Sequence, residues 1–488
     1  MNNRDPMAKT THIAVVSIPV FSHQASMVEF CKRLVHLHHH FHVTCIFPTI
    51  DAPLPATLTL LKSLPSSINY TFLPPINKND LPQDAPTVVQ IQFAVSQSMP
   101  HFQQALRSLL STMSLAALIA DPFANEALEI AKDFKLLSYI YFPFSAMTLS
   151  LFLHLPALHH QVSCEYKDHK KPIKIPGCVP VQGHDLPQNF QDRSSLAYKL
   201  ILERCKRLSL AHGFLVNSFS KVEEASERAL QEHTRANSTN SNNSRVYLIG
   251  PIVQTGSSNE PKGSECVEWL DNQKANSVLY VSFGSGGTLS QEQMNELALG
   301  LELNGEKFLW VVRAPCDSAD RAYIGASSDD PLQFLPKGFL ERTKGRGFVV
   351  PSWAPQTQIL GHVSTAGFLT HCGWNSALES IVLGVPMVAW PLFAEQRMNA
   401  VLLSEDLKVA LRPKFNEDGI AEREEIATVI KGLMLGEEGD LIRGRIEKLR
   451  DAATEALDEH GSSTRALHQF CTQIQSFVRQ SYINCLPL

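Results

Sequence analysis

The chain has 488 residues, of which 44% are hydrophobic and 19% charged, and its net charge is −5. This length exceeds one ordinary core and suits two domains of about 200 to 250 residues each. The slightly acidic balance excludes the strongly basic proteins that bind nucleic acid through its phosphates, so no nucleic-acid partner is expected.

The N-terminal segment predicts a core strand rather than a signal peptide or a membrane span. Its apolar run is short, is interrupted by Pro19 and leads into an amphipathic segment. The ten cysteines form no C-x-x-C pair and no zinc-like spacing, which is typical of proteins in a reducing compartment. We therefore expect a cytoplasmic protein without membrane insertion. We also expect it to act as a monomer.

The first sixty residues alternate between strand and helix patterns. "HIAVVSI" and "HVTCIFP" are apolar, β-rich runs, and between them apolar residues recur at helical spacing from Met27 to Val35. This alternation predicts a βαβ unit with a parallel sheet. His23 lies in the loop between the first strand and its helix, where either a catalytic or a purely structural role is possible for a polar residue.

The same plan returns further along the chain. "LAALIADPFANEALEIAKDF" predicts a buried strand that ends at Asp121 and is followed by a helix. "LSYIYFPFSAM" predicts another strand, which ends near Ser145. The sequence therefore places both Asp121 and Ser145 at loop positions just after strands.

A polar, flexible stretch between residues 236 and 264 indicates the domain boundary. After it, "SVLYVSFGSGGTLSQEQMNELALGLELNGEKFLWVVR" predicts a strand, a Gly-Ser-rich turn, a helix opened by Ser290 and a further strand. Two doubly wound domains would bind ligands in the cleft between them. The predicted units are a first domain at 1–245, a linker at 246–265, a second domain at 266–465, and a C-terminal helix at 466–488 that packs back on the first domain.

The segment from Trp353 to Gln396, "WAPQTQILGHVSTAGFLTHCGWNSALESIVLGVPMVAWPLFAEQ", carries the densest pattern of functional residue types. "GFLT" predicts a strand, "HCGWNS" a tight turn, and "NSALESIVL" a helix with Asn375 or Ser376 at its N-cap and Gly384 just past its end. The free backbone N–H groups and positive dipole of such a helix start favour a phosphate.

Other residues of this segment suit a nucleotide sugar. Trp353 offers a flat face to a base, Glu379 can accept hydrogen bonds from ribose hydroxyls, and His371 can donate to a phosphate oxygen. Glu395 and Gln396 could bind the hydroxyls of a sugar. Each residue taken singly also has an ordinary structural interpretation, as a packed aromatic, a solvated helix position or a polar turn residue. Chemistry alone therefore supports nucleotide-sugar binding only in part.

The same segment resembles the plant secondary product glycosyltransferase signature, the UDP-sugar box of the family-1 UDP-glycosyltransferases, with its "HCGWNS" centre intact. The resemblance extends over nearly the whole chain, through "YLIGP" and "LPKGFLERTKGRG". "LPSSINYTFLPP" and "SLFLHLP" are similar to the hydroquinone glucosyltransferase, or arbutin synthase-like, subgroup. The resemblance implies an α/β protein of the GT-B fold, with two facing Rossmann-like, doubly wound parallel-sheet domains and an interdomain cleft.

The resemblance also implies donor-binding roles for matching positions. The residues implied to border the uracil and ribose are Trp353, Ala354, Gln356 and Glu379. Those implied to hold the pyrophosphate are Ser285, His371, Asn375 and Ser376. Those implied to face the sugar are Trp374, Glu395, Gln396 and, across the cleft, Ser145. A final glutamine in the box is associated with glucose rather than galactose, so UDP-glucose is the expected donor. We also expect that no metal and no other cofactor is required.

The catalytic pair implied by the resemblance is His23 as the base and Asp121 as the residue that orients it. Family members of this kind invert the anomeric centre, which implies a β-glucoside as the product. The resemblance further implies that the glucose is transferred to a hydroxyl of a small phenolic acceptor, such as a hydroquinone, phenylpropanoid or flavonoid. The residues implied for the acceptor pocket are Phe21, Ser22, Phe123 and Phe144. Around His23 this chain has "VFSHQAS" where the subgroup commonly has "GMGHLIP".

That departure keeps other functions open. One alternative is a UDP-sugar-binding protein with weak or lost catalysis, and another is a glycosyltransferase that uses a non-phenolic acceptor. A nucleotide-sugar epimerase or NAD-dependent oxidoreductase is disfavoured, because "FGSGG" lacks the G-x-G-x-x-G spacing of a dinucleotide-binding turn.

Overall fold

The computed structural model describes residues 10–236, 245–254, 265–316, 319 and 329–483. These residues form two parallel β-sheets. The first sheet consists of β1 (Thr11–Val16), β2 (Phe41–Phe47), β3 (Ile68–Phe72), β4 (Leu115–Ala120), β5 (Leu137–Phe142), β6 (Gly213–Val216) and β7 (Arg245–Leu248). The second consists of β8 (Val278–Ser282), β9 (Lys307–Val312), β10 (Gly347–Pro351), β11 (Thr365–Thr370), β12 (Met387–Ala389) and β13 (Ala410–Leu411).

Helices connect the strands and cover both sheets. In the first half they are α1 (Phe21–Leu37), α2 (Pro55–Leu61), α3 (Thr87–Thr112), α4 (Ala127–Asp133), α5 (Ala146–Gln161), α6 (Leu196–Arg207) and α7 (Ser220–Ala236). In the second half they are α8 (Glu265–Asp271), α9 (Gln291–Asn304), α10 (Phe339–Arg342), α11 (Gln356–Leu360), α12 (Trp374–Leu383), α13 (Gln396–Val401), α14 (Arg423–Leu435), α15 (Glu437–Leu457) and α16 (Ser462–Ile483). None of the helices described is long and apolar enough to cross a membrane.

Both sheets are doubly wound, as the sequence predicts. The strand order is β3-β2-β1-β4-β5-β6-β7 in the first sheet and β10-β9-β8-β11-β12-β13 in the second. Strands such as β4 and β5 are buried along their whole length, because helices cover both faces of a parallel sheet. The direction of winding reverses between β1 and β4, and again between β8 and β11, which are the points where such sheets bind ligands.

Local signals in the sequence set several element ends. Ser290 caps α9 by accepting a hydrogen bond from the backbone N–H of Gln293, as predicted. Gly384 ends α12 in the left-handed conformation, with φ of 71°, which glycine adopts without steric cost. Both signals are local in the chain, so no tertiary contact is needed to interpret them.

The boundary region divides between the two sheets. Strand β7 pairs with β6 and completes the first sheet, so the start of the segment predicted as a linker, 246–265, belongs to that sheet. Residues 255–264 of this segment lie outside the described part of the chain. Helix α16 packs on the first sheet, where its apolar side chains join the core built around β1, β2 and β5. Those side chains are Leu467, Phe470, Cys471 and Ile474.

Candidate active site

His23 and Asp121 meet at the point where the first sheet reverses its winding. Strands β1 and β4 are parallel neighbours with Val16 opposite Ala120, so the loops that follow them leave the same edge of the sheet. The backbone N–H of Asp121 donates to the carbonyl of Val16 at 2.9 Å, which joins the two strand ends. His23 lies in the first turn of α1, and its Nδ1 is 2.7 Å from Oδ2 of Asp121.

The contacts of Asp121 determine which ring nitrogen of His23 is available. The carboxylate is fully buried, and its Oδ1 accepts a hydrogen bond from the backbone N–H of Phe123 at 2.9 Å. A buried carboxylate accepts hydrogen bonds, so Nδ1 of His23 is the protonated nitrogen in the neutral ring. The lone pair is then on Nε2, where it can receive a proton. This is the arrangement of a histidine base with an orienting aspartate.

A cavity of about 210 Å³ lies in front of His23 and between the two domains. Side chains of both halves line it, as the cleft prediction expects. The predicted site residues among them are Ser22, His23, Phe123, Phe144, Ser285, His371, Trp374, Asn375, Ser376, Glu395 and Gln396. Sequence elements more than 350 residues apart therefore converge on one cavity, since Ser22 and Asn375 are themselves hydrogen-bonded at 3.3 Å.

The start of α12 faces this cavity. Its N-cap is Gly373, with no side chain capping the helix, so the prediction of Asn375 or Ser376 as N-cap is wrong. Asn375 and Ser376 lie inside the first turn, and neither side chain caps the helix. The backbone N–H groups of the first turn thus lack a capping side chain and, with the helix dipole, favour a negative charge in the cavity.

His371 is held between two glycines beside the helix start. A Cβ added to Gly284 would lie 2.4 Å from the imidazole Nε2, and one added to Gly373 would also lie 2.4 Å from it. Only glycine permits this approach, and Gly284 in addition has φ of +72°. The pKa of His371 is lowered to about 3, mainly by burial and to a smaller extent by the charge of Arg313. The ring is therefore neutral. Neither glycine was among the predicted site residues, although Gly284 lies in the Gly-rich turn "FGSGG" and Gly373 in "HCGWNS".

Gln396, Glu395 and Trp374, which were predicted to face the sugar, all line the cavity but have different environments. Gln396 uses its Oε1 to accept hydrogen bonds from the backbone N–H groups of Leu392 and Phe393 at 2.9 and 3.0 Å, which leaves its amide N–H groups for a ligand. Burial raises the pKa of the neighbouring Glu395. Trp374 is buried in the interface, where its indole N–H donates to the carbonyl of Asn217 at 2.7 Å and joins the two domains.

Ser145 is among the predicted residues that do not line the cavity. It caps α5 and is fully buried, with its hydroxyl 2.8 Å from that of Thr148 and 3.3 Å from Oδ1 of Asn399. Thr148 lines the cavity in its place, one turn into α5. Asn399 also donates to the carbonyl of Cys372 at 2.9 Å and so links Ser145 to the turn before α12. Sequence patterns gave no signal for Asn399, because its partners are distant in the chain.

Phe21 is also absent from the cavity wall and lies half-buried at the start of α1. Phe123 and Phe144, which were predicted for the acceptor pocket, do line the wall, and the rest of its apolar part comes from residues that carry no motif in the sequence. The rings of Phe123, Phe152 and Phe190 follow one another at centroid distances of 6.4 and 6.3 Å. The further apolar residues are Val88, Ile91 and Ile201.

Among the predicted uracil and ribose residues, Gln356 and Glu379 contact each other at α12. Gln356 donates from Nε2 to Oγ of Ser376 at 2.9 Å and to Oε2 of Glu379 at 2.6 Å. Glu379, three residues after Ser376 on α12, lines a second pocket. Trp353 is 61% exposed, so its indole is accessible for stacking, whereas Ala354 is buried. None of these four predicted residues lines the main cavity.

Glu379 provides a test that combines stability and binding. Burial raises its pKa from 4.5 to about 7. Between these pH values the folded protein binds a proton that the unfolded chain has released, so stability falls as pH rises, by up to about 3 kcal/mol. Glu379→Gln removes this effect and keeps an oxygen for Gln356. We expect the variant to gain stability relative to the natural protein as pH rises from 5 to 8, measured by denaturant unfolding midpoints.

At pH 8 the same variant should bind UDP about tenfold more weakly, because an amide oxygen accepts hydrogen bonds less strongly than a carboxylate. Calorimetric titration with UDP measures this loss. Glu447→Gln, at an exposed position of α15, is the matched control and should change neither quantity. A relative stability that stays constant across the pH range would contradict the buried-acid assignment, and unchanged UDP binding would contradict a ribose-binding role.

Comparison with known proteins identifies the family. The protein-family model "UDP-glucoronosyl and UDP-glucosyl transferase" matches residues 246–413. The chain is 51% identical to "Hydroquinone glucosyltransferase" of Rauvolfia serpentina, an alignment that covers 94% of this chain and 97% of the relative. It is 48% identical to "UDP-glycosyltransferase 72B1" of Arabidopsis thaliana, with coverage of 94% and 95%.

A solved structure extends the likeness to three dimensions. The structure of Phytolacca americana UGT2 complexed with UDP-2fluoro-glucose and pterostilbene matches with a TM-score of 0.86 at 43% identity. The match covers 95% of this chain and 100% of that one. The likeness thus includes both sheets and the cleft between them. The chain therefore belongs to the plant family-1 UDP-glycosyltransferases and is a UDP-glucosyltransferase with the GT-B fold.

Proposed function

We propose that this enzyme transfers glucose from UDP-glucose to a hydroxyl of a small phenol and inverts the anomeric centre, giving a β-glucoside. The observation that carries the proposal is the pair formed by His23 and Asp121, whose Nδ1 and Oδ2 are 2.7 Å apart, on a cavity that also contains the start of α12. A proton acceptor and an anion-binding helix start are thus available to one bound pair of substrates.

In this proposal the donor lies along α12. The diphosphate binds at the first turn with Asn375, Ser376 and Ser285, and the nucleoside extends toward Glu379 and the exposed Trp353. The support is that the first three residues line the cavity and that Glu379, three residues after Ser376 on α12, lines a second pocket. Glucose then lies toward Gln396, whose carbonyl oxygen is engaged by backbone and whose amide N–H groups remain for sugar hydroxyls.

The acceptor hydroxyl attacks C1 of glucose from the face opposite UDP, while its proton moves to Nε2 of His23. A phenol has an ordinary pKa of about 10 and an imidazole one of about 6.5, so transfer before attack would be uphill by about 5 kcal/mol. We therefore infer that the proton moves as the C–O bond forms, which Asp121 assists by stabilising the imidazolium. The bond from C1 to the diphosphate breaks, and its electron pair leaves with UDP.

UDP leaves with negative charge developing on its β-phosphate. We propose that the helix start at Gly373 and the N–H donors around it stabilise this charge. In some other transferases a divalent metal stabilises the charge on the leaving diphosphate, and in this proposal backbone dipoles do so instead. Addition of a chelator to the assay should leave turnover unchanged if this proposal is correct.

The acceptor is proposed to be phenolic because rings form much of the cavity wall near His23. The ring of Phe144 lies 5.2 Å from that of His23, and Phe123 lies 6.0 Å from it. The Rauvolfia serpentina relative is named for hydroquinone, and the Phytolacca americana structure contains pterostilbene; both compounds are phenols. A UDP-sugar-binding protein with weak catalysis is the second candidate, because "VFSHQAS" at the start of α1 departs from the subgroup pattern.

We also propose that the enzyme acts as a monomer in the cytoplasm. All the cysteines that the structure describes are free thiols, which suits a reducing compartment. The proposed base and the proposed diphosphate site come from the two halves of one chain, so no second copy is needed to complete the site.

The test is incubation of the purified protein with UDP-glucose and a panel of phenols, including hydroquinone. We expect stoichiometric UDP and phenyl glucosides by mass spectrometry, with the β configuration shown by the anomeric proton coupling in NMR. Binding of UDP-glucose without glucoside from any phenol would favour the second candidate. An α-glucoside would contradict the inverting mechanism.

A further inference from the structure

We propose that Gln92 selects the acceptor by donating a hydrogen bond from Nε2 to an oxygen of the phenol other than the one that reacts. The inference rests on the proposed function, and it specifies which phenols the cavity prefers. Gln92 lies on α3, is 2% exposed and lines the cavity. It was not among the residues predicted from the sequence.

The orientation of the Gln92 amide follows from its partner. The guanidinium Nε of Arg204, on α6, donates to Oε1 of Gln92 at 2.8 Å. An arginine has donors and no acceptor, so the amide oxygen must face Arg204 and the NH₂ group must point away from it. The group that Gln92 offers to a ligand is therefore a donor.

Arg204 is itself held in place. Its Nη1 and Nη2 donate to the carboxylate of Glu126 at 3.0 and 3.2 Å. Its backbone carbonyl accepts a hydrogen bond from Nδ2 of Asn125 at 2.8 Å. The side chain of Arg204 is 6% exposed and that of Glu126 is 21% exposed, and a largely buried ion pair resists rearrangement. The Gln92 amide thus cannot turn over without breaking a buried network.

The Nε2 atom of Gln92 is buried and has no hydrogen-bond partner among the described residues. A buried donor without an acceptor is unfavourable, so a ligand oxygen that reaches it gains a hydrogen bond, whereas an apolar ligand group leaves the donor unsatisfied. This difference produces selectivity between acceptors of the same size.

Apolar residues around Gln92 increase the expected selectivity between acceptors. Val88 lies one turn before Gln92 on α3, Ile201 lies one turn before Arg204 on α6, and both line the same cavity. The donor of Gln92 therefore lies in a mainly apolar wall, where it favours carbonyl, ether or methoxy oxygens over hydrocarbon. The predicted acceptor class is a phenol that carries such an oxygen as a second polar group.

The experiment compares matched phenols that differ in one oxygen: 4-hydroxyacetophenone with 4-isopropylphenol, and 4-hydroxybenzophenone with 4-benzylphenol. The ratio of kcat/KM for ketone over hydrocarbon is measured for each pair. Comparing that ratio between enzyme variants cancels the different intrinsic reactivities of the phenols. Two pairs of different length are used, so that the oxygen has two depths at which to meet Gln92.

Gln92→Glu keeps an oxygen for Arg204 and replaces the donor by an acceptor, whereas Gln92→Leu removes both. We expect the ketone preference of at least one pair to fall by about tenfold or more in each variant. Gln97→Glu, the same change at an exposed position of α3, is the control and should keep the natural ratio. Circular dichroism and UDP titration check that the variants are folded.

A folded Gln92→Glu variant that keeps the ketone preference of both pairs within about threefold overturns the proposal. Equal loss on ketone and hydrocarbon also overturns it, because that pattern reports a structural role. Failure of the proposed function looks different, since the natural enzyme would then glucosylate neither member of any pair.

Discussion

His23→Ala is expected to lower kcat for glucoside formation by about 10²- to 10⁴-fold while UDP-glucose still binds. This is the usual contribution of a positioned general base. His23 is the histidine whose ring reaches both Asp121 and the cavity, and the variant removes the nitrogen proposed to receive the phenol proton. Steady-state release of UDP with a weakly acidic phenol, together with calorimetric titration of UDP, separates catalysis from binding.

Phenol acidity provides the sharpest check on this assignment. An acidic phenol such as 4-nitrophenol is already ionised near neutral pH and needs no base, so the loss in His23→Ala should be much smaller with it. His460→Ala, at an exposed position before α16, is the matched control and should keep full activity. Near-natural turnover of a weakly acidic phenol by His23→Ala would exclude the base role.

Asp121→Asn is expected to lower kcat by about tenfold to a thousandfold, less than His23→Ala, with little change in fold. The backbone N–H of Phe123 needs an acceptor, and the amide oxygen of Asn can replace Oδ1 in that hydrogen bond. The amide NH₂ then faces Nδ1 of His23 and favours the tautomer whose Nε2 carries the proton. The base is thus present but mostly in the wrong form.

The readouts for Asp121→Asn are kcat, UDP affinity and the thermal unfolding midpoint. Loss of kcat with unchanged UDP affinity and midpoint supports an orienting role, whereas a large drop in the midpoint would indicate a mainly structural one. Asp133→Asn, the same change at an exposed position of α4, should alter none of the three quantities. Full activity in Asp121→Asn would show that the tautomer of His23 is not controlled from this position.

The strand and helix patterns of the sequence were sufficient for the fold class and for the ends of several strands. Asp121 follows β4 and His23 follows β1, as the periodicity predicts. Periodicity cannot show which strands become neighbours, and the pairing of these two residues came only from the family resemblance. The observed order, with β1 beside β4, is the physical reason that they touch.

Errors in the predicted site share one cause. The N-cap of α12 is Gly373 rather than Asn375 or Ser376, and Ser145 is buried behind Thr148 rather than facing the cavity. Each depends on how a short turn is positioned by distant contacts, such as that of Asn399 with the carbonyl before α12. A pattern of residue types contains no information about those contacts.

The sequence by itself determined the two doubly wound domains, the helix start with its free N–H groups, and the family. These follow from local periodicity, from glycine at a helix end and from a continuous motif of the chain. Only the tertiary structure decided how the amide of Gln92 on α3 is oriented in the cavity wall, because Nε of Arg204 on α6 donates to its Oε1. The two residues are 112 positions apart, and only folding brings together the donor and the acceptor that orient the group.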